Sequence, residues 1–180
     1  MRKVRSRAIV NETSADLLDL QALLDRSYAS AGGHLRAIFT EASRLSATEV
    51  AESVTGIFEM HLATTTADGA PFVAPIDGLF FKGRIWFGCP APAIRTKHLR
   101  RDARVSASYT RDQSFAFVVH GVAREVTKSD PAFEPYSVHM QALYVRAYGP
   151  GWTKTYERKQ RSAGDGFIAW IEPRRMFVKR

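Results

Sequence analysis

The residues best suited to chemistry are concentrated between Cys89 and Val105, in the stretch CPAPAIRTKHLRRDARV. Five basic side chains, Arg95, Lys97, Arg100, Arg101 and Arg104, fall within ten residues, and only Asp102 offsets them. The preceding run Ile85-Trp86-Phe87 reads as a strand, and Pro90 and Pro92 turn the chain from its end into a short basic helix. The start of such a helix can hold a phosphate. Its first backbone N–H groups have no partner within the helix, and neighbouring cations add to the attraction. A solvated basic surface turn is the other reading of the same residues, and on these residues alone the two are level.

Other chemistry-bearing residues are scattered. The five histidines, His34, His61, His98, His120 and His139, include no H-x-x-x-H pair, so no metal site is expected. His120 could face a cleft beside Gly121, although a buried histidine with a satisfied hydrogen bond is the plainer reading. The single cysteine, Cys89, excludes an intrachain disulfide and reads first as a small packing residue at a strand end. Trp86, Trp152 and Trp170 are core candidates. Trp152 with Lys154, Arg158 and Lys159 could instead form a lid over an anionic substrate.

Charge location limits the partners. The net charge is +8, but the first ten residues carry +4 and the last ten +3, leaving +1 for positions 11–170. A duplex-binding face needs a sustained basic stripe, so nucleic acid is not expected as a partner. No run approaches the eighteen or so apolar residues of a membrane span, and no apolar stretch follows the basic N-terminus as a secretory signal requires. Cytoplasmic location is the expectation.

The elements that must position the basic stretch can be read in order. Leu17, Leu20, Leu24 and Tyr28 recur at helical spacing behind a Thr13 or Ser14 cap. Leu35, Ile38, Phe39, Ala42 and Leu45 suggest a second helix. Ser46 with Glu49 has capping-box spacing for a third, over Ala47 to Val54. From Ile57 the pattern becomes strands: Ile57–Thr66, Phe72–Phe81, Arg84–Cys89, Arg104–Thr110 and Phe115–Val126, with turns at Asp68-Gly69 and Lys82-Gly83. Pro75 within the second strand predicts an edge position or a bulge, and Gly121 predicts another bulge or close backbone approach. A helix follows Pro131, carrying Met140, Leu143, Tyr144 and Ala147 on one face. Trp152–Arg161 is a further helix or a mobile segment, and Phe167–Ile171 with Met176–Val178 closes the chain as a hairpin around Glu172-Pro173-Arg174. Antiparallel hairpins at this spacing predict a small barrel with helices at its edges.

The hairpin Leu62-Ala63-Thr64 to Asp68-Gly69 and Pro71, followed by Arg95-Thr96-Lys97-His98-Leu99-Arg100-Arg101-Asp102-Ala103-Arg104-Val105, resembles the flavin/deazaflavin split β-barrel superfamily. That group includes the pyridoxamine 5′-phosphate oxidases and the deazaflavin-dependent oxidoreductases. The resemblance covers about Ser46–Val126, with Phe167–Val178 as a plausible closing pair. It implies a mainly β fold with flanking helices, an antiparallel split β-barrel of the FMN-binding type over residues 46–180, and a helical N-terminal extension over residues 1–45. It further implies a homodimer with a cofactor at each subunit interface and a small organic molecule as substrate. The cofactor phosphate would lie on Arg95 and Lys97, with Thr96 between them also cofactor-binding, and the ring along Val73, Ala74, Pro75 and Ile76, approached by Gly88 and Cys89. The implied activity is a flavin- or deazaflavin-dependent oxidoreductase. FMN is the first choice of cofactor and a deazaflavin coenzyme the second; a non-catalytic flavin- or haem-binding protein is the alternative. Such cofactors carry the electrons themselves, so no catalytic residue is singled out.

Overall fold

A computed structural model describes residues 11–163 and 166–180, without the side chains of 159–163; the basic N-terminal residues Arg2 to Arg7 lie outside the described residues. Helix α1 (Ser14–Ala29) begins at a capping box in which Thr13 and Asp16 exchange hydrogen bonds. Short helices α2 (Gly33–Ile38) and α3 (Ala47–Ser53) follow, the latter opened by the Ser46–Glu49 capping box. Strands β1 (Ile57–Thr65), β2 (Pro71–Phe81) and β3 (Arg84–Cys89) lead into α4 (Ile94–Arg101). Strands β4 (Arg104–Arg111) and β5 (Phe115–Glu125), helices α5 (Phe133–Tyr148) and α6 (Trp152–Ala163), and strand β6 (Phe167–Lys179) complete the chain. The six strands close a barrel in the order β1-β2-β3-β6-β5-β4, with every paired neighbour antiparallel.

The hairpins follow from local sequence. Lys82 and Gly83 both take positive φ (51° and 68°), as a two-residue turn of the kind that matches strand twist requires. Along β1, Phe58, Met60, Leu62 and Thr64 alternate into the interior while Glu59 and His61 face out, the period of two expected of a barrel strand. Apolar residues gather in two places. One cluster fills the barrel and continues into Leu20, Leu23 and Leu24 of α1. The other lies where Leu79, Phe81 and Trp86 meet Tyr136 and Met140 of α5.

Helix α1 completes the barrel wall. Strand β6 pairs with β3 only over Phe167–Ile171, so the same edge from Glu172 onward lacks a strand partner. Side chains of α1 supply it. The Tyr28 hydroxyl donates to the Val178 carbonyl (2.7 Å) and accepts from the Val178 N–H (3.0 Å), and Ser27 Oγ accepts from the Met176 N–H (2.9 Å). All three of these contacts are buried, where an unpaired backbone group costs about 1–3 kcal/mol. Tyr28→Phe should therefore destabilise the fold by about 1–3 kcal/mol. Chemical denaturation should record a lower midpoint with an unchanged slope, and an unchanged midpoint would remove α1 from this role.

Two expectations need correction. The second helix stops at Ile38 instead of continuing to Leu45. Thr40 and Ser43 bond one another and the local backbone, Arg44 donates to the Phe39 carbonyl, and Arg44 bridges to Lys179 of β6. Such side-chain-to-backbone bonds compete with helix propagation. Phe39 and Leu45 are buried as expected, but not on one helical face. The closing hairpin is in fact one strand: β6 runs unbroken through Glu172-Pro173-Arg174. Pro173 pairs with Gly121 where the β5–β6 register shifts, so the proline sits at a bulge and not in a turn. Gly121 is accordingly at the bulge its sequence position predicts. Pro75 lies in regular register opposite His61, without a bulge. Because β3 pairs with β2 only over Gly78–Phe81, Pro75 occupies an edge, where its missing N–H costs nothing.

Candidate cofactor site

The Pro90–Pro92 turn and α4 are fixed to the barrel by specific bonds. Thr96 is buried and donates its hydroxyl to the Pro90 carbonyl (2.9 Å). His98, also buried, shares a 3.1 Å hydrogen bond through Nδ1 with Thr64 Oγ1 of β1 and meets the Phe72 ring edge-on. Ala93 at the N-cap supplies no side-chain oxygen, so no side chain caps the first turn of α4.

Arg95 joins three elements. Its Nη1 donates to the Pro75 carbonyl on the open edge of β2 (2.6 Å), and its guanidinium lies beside the Cys89 thiol at the end of β3. Burial pushes the thiol's pKa up, and the Arg95 charge partly opposes that shift. Cys89 is thus a buried neutral thiol, as a packing residue should be. A guanidinium has five N–H donors, so these two contacts leave others for an anion.

Between this corner and helices α5 and α6 is a cavity of about 550 Å³, within the size range of small-molecule sites. Pro75, Ile76, Gly88, Cys89 and Arg95 all line it. A β-carbon added at Gly88 would meet no protein atom nearer than 3.9 Å. The space in front of Gly88 is therefore cavity, free for a planar group. Val73 does not line it and is 62% exposed on the outer face of β2, and Ala74 is half-buried. Lys97 is exposed on α4 and lines neither this cavity nor the larger one described below. His120 is not in the cavity; it is exposed on β5, bonded to Ser106 Oγ at 2.8 Å. Burial and Arg175 lower its pKa.

Of the opposite wall, the sequence singles out only Trp152 as a residue that could cover a site. Tyr144 and Trp152 stack at 4.4 Å, and Trp152 and Tyr156 at 4.7 Å, across the Gly149–Gly151 break between α5 and α6. Tyr136 stacks on Trp86 at 4.3 Å. Tyr144 donates its hydroxyl to Asp77 Oδ2 (2.7 Å); burial and then this bond push its pKa well above the usual phenol range. Glu59 and Asp77 line the same cavity. Trp152 forms part of the wall, but Lys154 and Arg158 are exposed and do not line it, and the Lys159 side chain lies outside the described residues. A signal was available in the recurrence of aromatic residues at 136, 144, 148, 152 and 156, which helical periodicity alone reads as packing. Tyr136, Met140 and Tyr156 also border a second cavity of about 1160 Å³, at whose rim Arg100 and Glu125 form a 2.8 Å ion pair.

No known family profile matches the chain, and no curated protein matches it. Solved structures do. The conserved hypothetical protein Rv2991 from Mycobacterium tuberculosis superposes with a TM-score of 0.61 at 23% identity, over 77% of this chain and 87% of that one. HutZ, the haem storage protein from Vibrio cholerae, gives 0.52 at 17% identity, over 67% and 85% of the two chains. An FAD-binding protein from Mesorhizobium loti gives 0.50 at 16% identity, over 75% and 93%. Proteins with this likeness hold different cofactors, so at these identities the likeness carries the architecture and leaves the ligand to the residues. The closed six-stranded antiparallel barrel with its flanking helices is a split β-barrel, the architecture that this chain shares with these solved structures.

Proposed function

We propose that the protein is an oxidoreductase that uses bound FMN, or a deazaflavin of similar shape, to move a hydride or an electron pair to or from a small organic substrate. The observation that carries this reading is the convergence of Arg95, the Pro75 edge of β2 and the Gly88–Cys89 end of β3 on one cavity. Arg95 supplies donors for the phosphate, the uncapped start of α4 adds its dipole, and the open backbone beside Pro75 can bond the polar edge of a planar ring. The FAD-binding neighbour supports a flavin in this fold. Lys97 would add charge from outside the cavity.

A homodimer with the cofactor at the subunit interface belongs to the same proposal. Val73 is an apolar side chain left 62% exposed, and it lies on the outer face of β2 beside Pro75. A second copy seated there would cover it and close the outer side of the Arg95 corner. The haem storage neighbour supports a second reading, a carrier of flavin or haem without turnover.

The absorption spectrum of the purified protein separates these. Flavin bands that bleach when a substrate is oxidised anaerobically are the expected result. A Soret band would move the reading to haem storage.

A further inference from the structure

The larger cavity, of about 1160 Å³, has no part in the cofactor reading. Tyr136, Met140, Tyr156, Gly166 and Ile168 line both it and the cofactor cavity, so the two adjoin. Phe133, Tyr136 and Met140 recur at i, i+3 and i+7 along α5, the spacing that places side chains on one helix face, and all three line the larger cavity. Val126 and Ile168 add apolar surface where β5 ends and β6 begins.

Tyr136 stands at the boundary of the two cavities, and its hydroxyl is unaccounted for. The residue is 2% exposed, and its ring stacks on Trp86. That stack uses the ring alone; a phenylalanine would make it as well. Tyr28 and Tyr144 both engage their hydroxyls within the protein. The Tyr136 hydroxyl has no hydrogen-bond partner among the described residues. Among those residues no side-chain nitrogen or oxygen sealed from solvent lacks a partner. The little exposure that Tyr136 keeps therefore includes this oxygen, and the openings that Tyr136 lines are the two cavities. Burying a hydroxyl without a bond costs stability, so a polar atom in the cavity is the partner this position calls for. Burial, and then the neighbouring Tyr156, pushes the phenol's pKa above its usual range. The hydroxyl thus keeps its proton and is set to donate.

The charges around the cavity bear on what it takes. Among the described residues its ionic side chains cancel, Arg100 and Lys128 against Glu125 and Glu157, and Arg100 is paired with Glu125. An ionic ligand would meet no net opposite charge there.

We infer that the larger cavity binds an uncharged, largely apolar molecule bearing a carbonyl-type oxygen, and that Tyr136 donates its hydroxyl hydrogen bond to that oxygen at the boundary with the cofactor cavity. The inference rests on the proposed function only in making this molecule a substrate; the binding itself needs no cofactor.

The test is calorimetric titration of the purified protein with three probes. They are benzophenone, its hydrocarbon isostere in which a CH₂ group replaces the oxygen, and diphenylacetate. Tyr136→Phe should weaken benzophenone at least about fivefold, the worth of one net hydrogen bond, and leave the hydrocarbon unchanged or tighter. Diphenylacetate should bind more weakly than benzophenone, with no dependence on Tyr136. Thr153→Trp, which fills the larger cavity from α6, should weaken benzophenone and the hydrocarbon alike. The Tm of Tyr136→Phe should be unchanged or higher, because no bond within the protein is lost. Benzophenone affinity undiminished in Tyr136→Phe would overturn the inference, since water alone would then serve the hydroxyl. Undiminished affinity in Thr153→Trp would overturn it by moving the ligand elsewhere. An anion that depends on Tyr136 as strongly as the ketone, or a clear fall in the Tm of Tyr136→Phe, would do the same. An FMN titration run in parallel keeps the two readings apart. Protein that binds FMN but shows no Tyr136-dependent ketone binding fails this inference alone. Protein that binds the ketone through Tyr136 but no flavin fails the cofactor reading alone.

Discussion

Gly121→Ala should destabilise the protein by about 3 kcal/mol or more, the upper range for overpacking a closed interior. For a chain of this length that lowers Tm by roughly 6–12 °C. The reason is backbone geometry. A β-carbon at position 121 would stand 2.1 Å from the Glu172 carbonyl oxygen, 2.9 Å from the Glu172 carbonyl carbon and 3.0 Å from Pro173 Cα. All three atoms belong to the β6 main chain, so no side chain can swing aside to relieve the clash. Strands β5 and β6 pair over ten positions through this bulge, and the bulge is also where Pro173 is accommodated. Moving β6 away would break that ladder and disturb the Tyr28 and Ser27 bonds on its other edge. Thermal unfolding followed by circular dichroism measures the effect. A Tm within a degree of the parent's would mean that the bulge is not held as described.

The second large effect falls on cofactor affinity. Arg95→Ala, made together with Lys97→Ala, should weaken flavin binding at least tenfold. A charge-assisted bond to a phosphate contributes about 1.5–3 kcal/mol, and 1.4 kcal/mol is already a factor of ten. Most of the loss is expected from Arg95, because it lines the cavity while Lys97 stands outside. Arg95→Lys should recover only part of it, since an ammonium cannot bridge the Pro75 carbonyl and an anion as a planar fork can. The Arg95 bond to Pro75 is on the surface, so Tm should change little, which separates a binding defect from a folding one. Unchanged affinity in the double variant would refute the phosphate role of both residues.

Much of this architecture was legible in the sequence because it is local. Alternation marks β1, Lys82-Gly83 and Asp68-Gly69 mark turns, and Ser46 with Glu49 marks the start of α3. The boundaries that escaped are those settled by distant partners. Nothing between Ile38 and Leu45 announces that Arg44 will bridge to Lys179, more than a hundred residues on. A proline flanked by charged residues reads equally well as a turn or a bulge, and only Gly121 on the facing strand decides for the bulge at Pro173. The site shows the same division. Pro75, Ile76, Gly88, Cys89 and Arg95 could be placed together because a family resemblance supplied the pairing that spacing lacks, and the structure brings those five to one cavity. Val73 is outside it: it shares the outer face of β2 with Pro75, two residues further from the cavity along the strand. Of the aromatic wall, the sequence offers Tyr144 as helix packing and Trp152 as core or lid, and singles out Tyr156 for neither. Whether the far side of an apolar stripe meets core or cavity is a tertiary fact, and Glu59 and Asp77 become neighbours only once β1 and β2 are in register.

The central claim is that the Arg95 corner holds a flavin-type cofactor, and equilibrium titration of the cofactor-free protein with FMN and with a deazaflavin tests it most directly. Saturable quenching of the cofactor's fluorescence is predicted, at one cofactor per chain, lost on Arg95→Ala. Fluorescence that stays at the free-cofactor value for both compounds at every protein concentration would contradict the account.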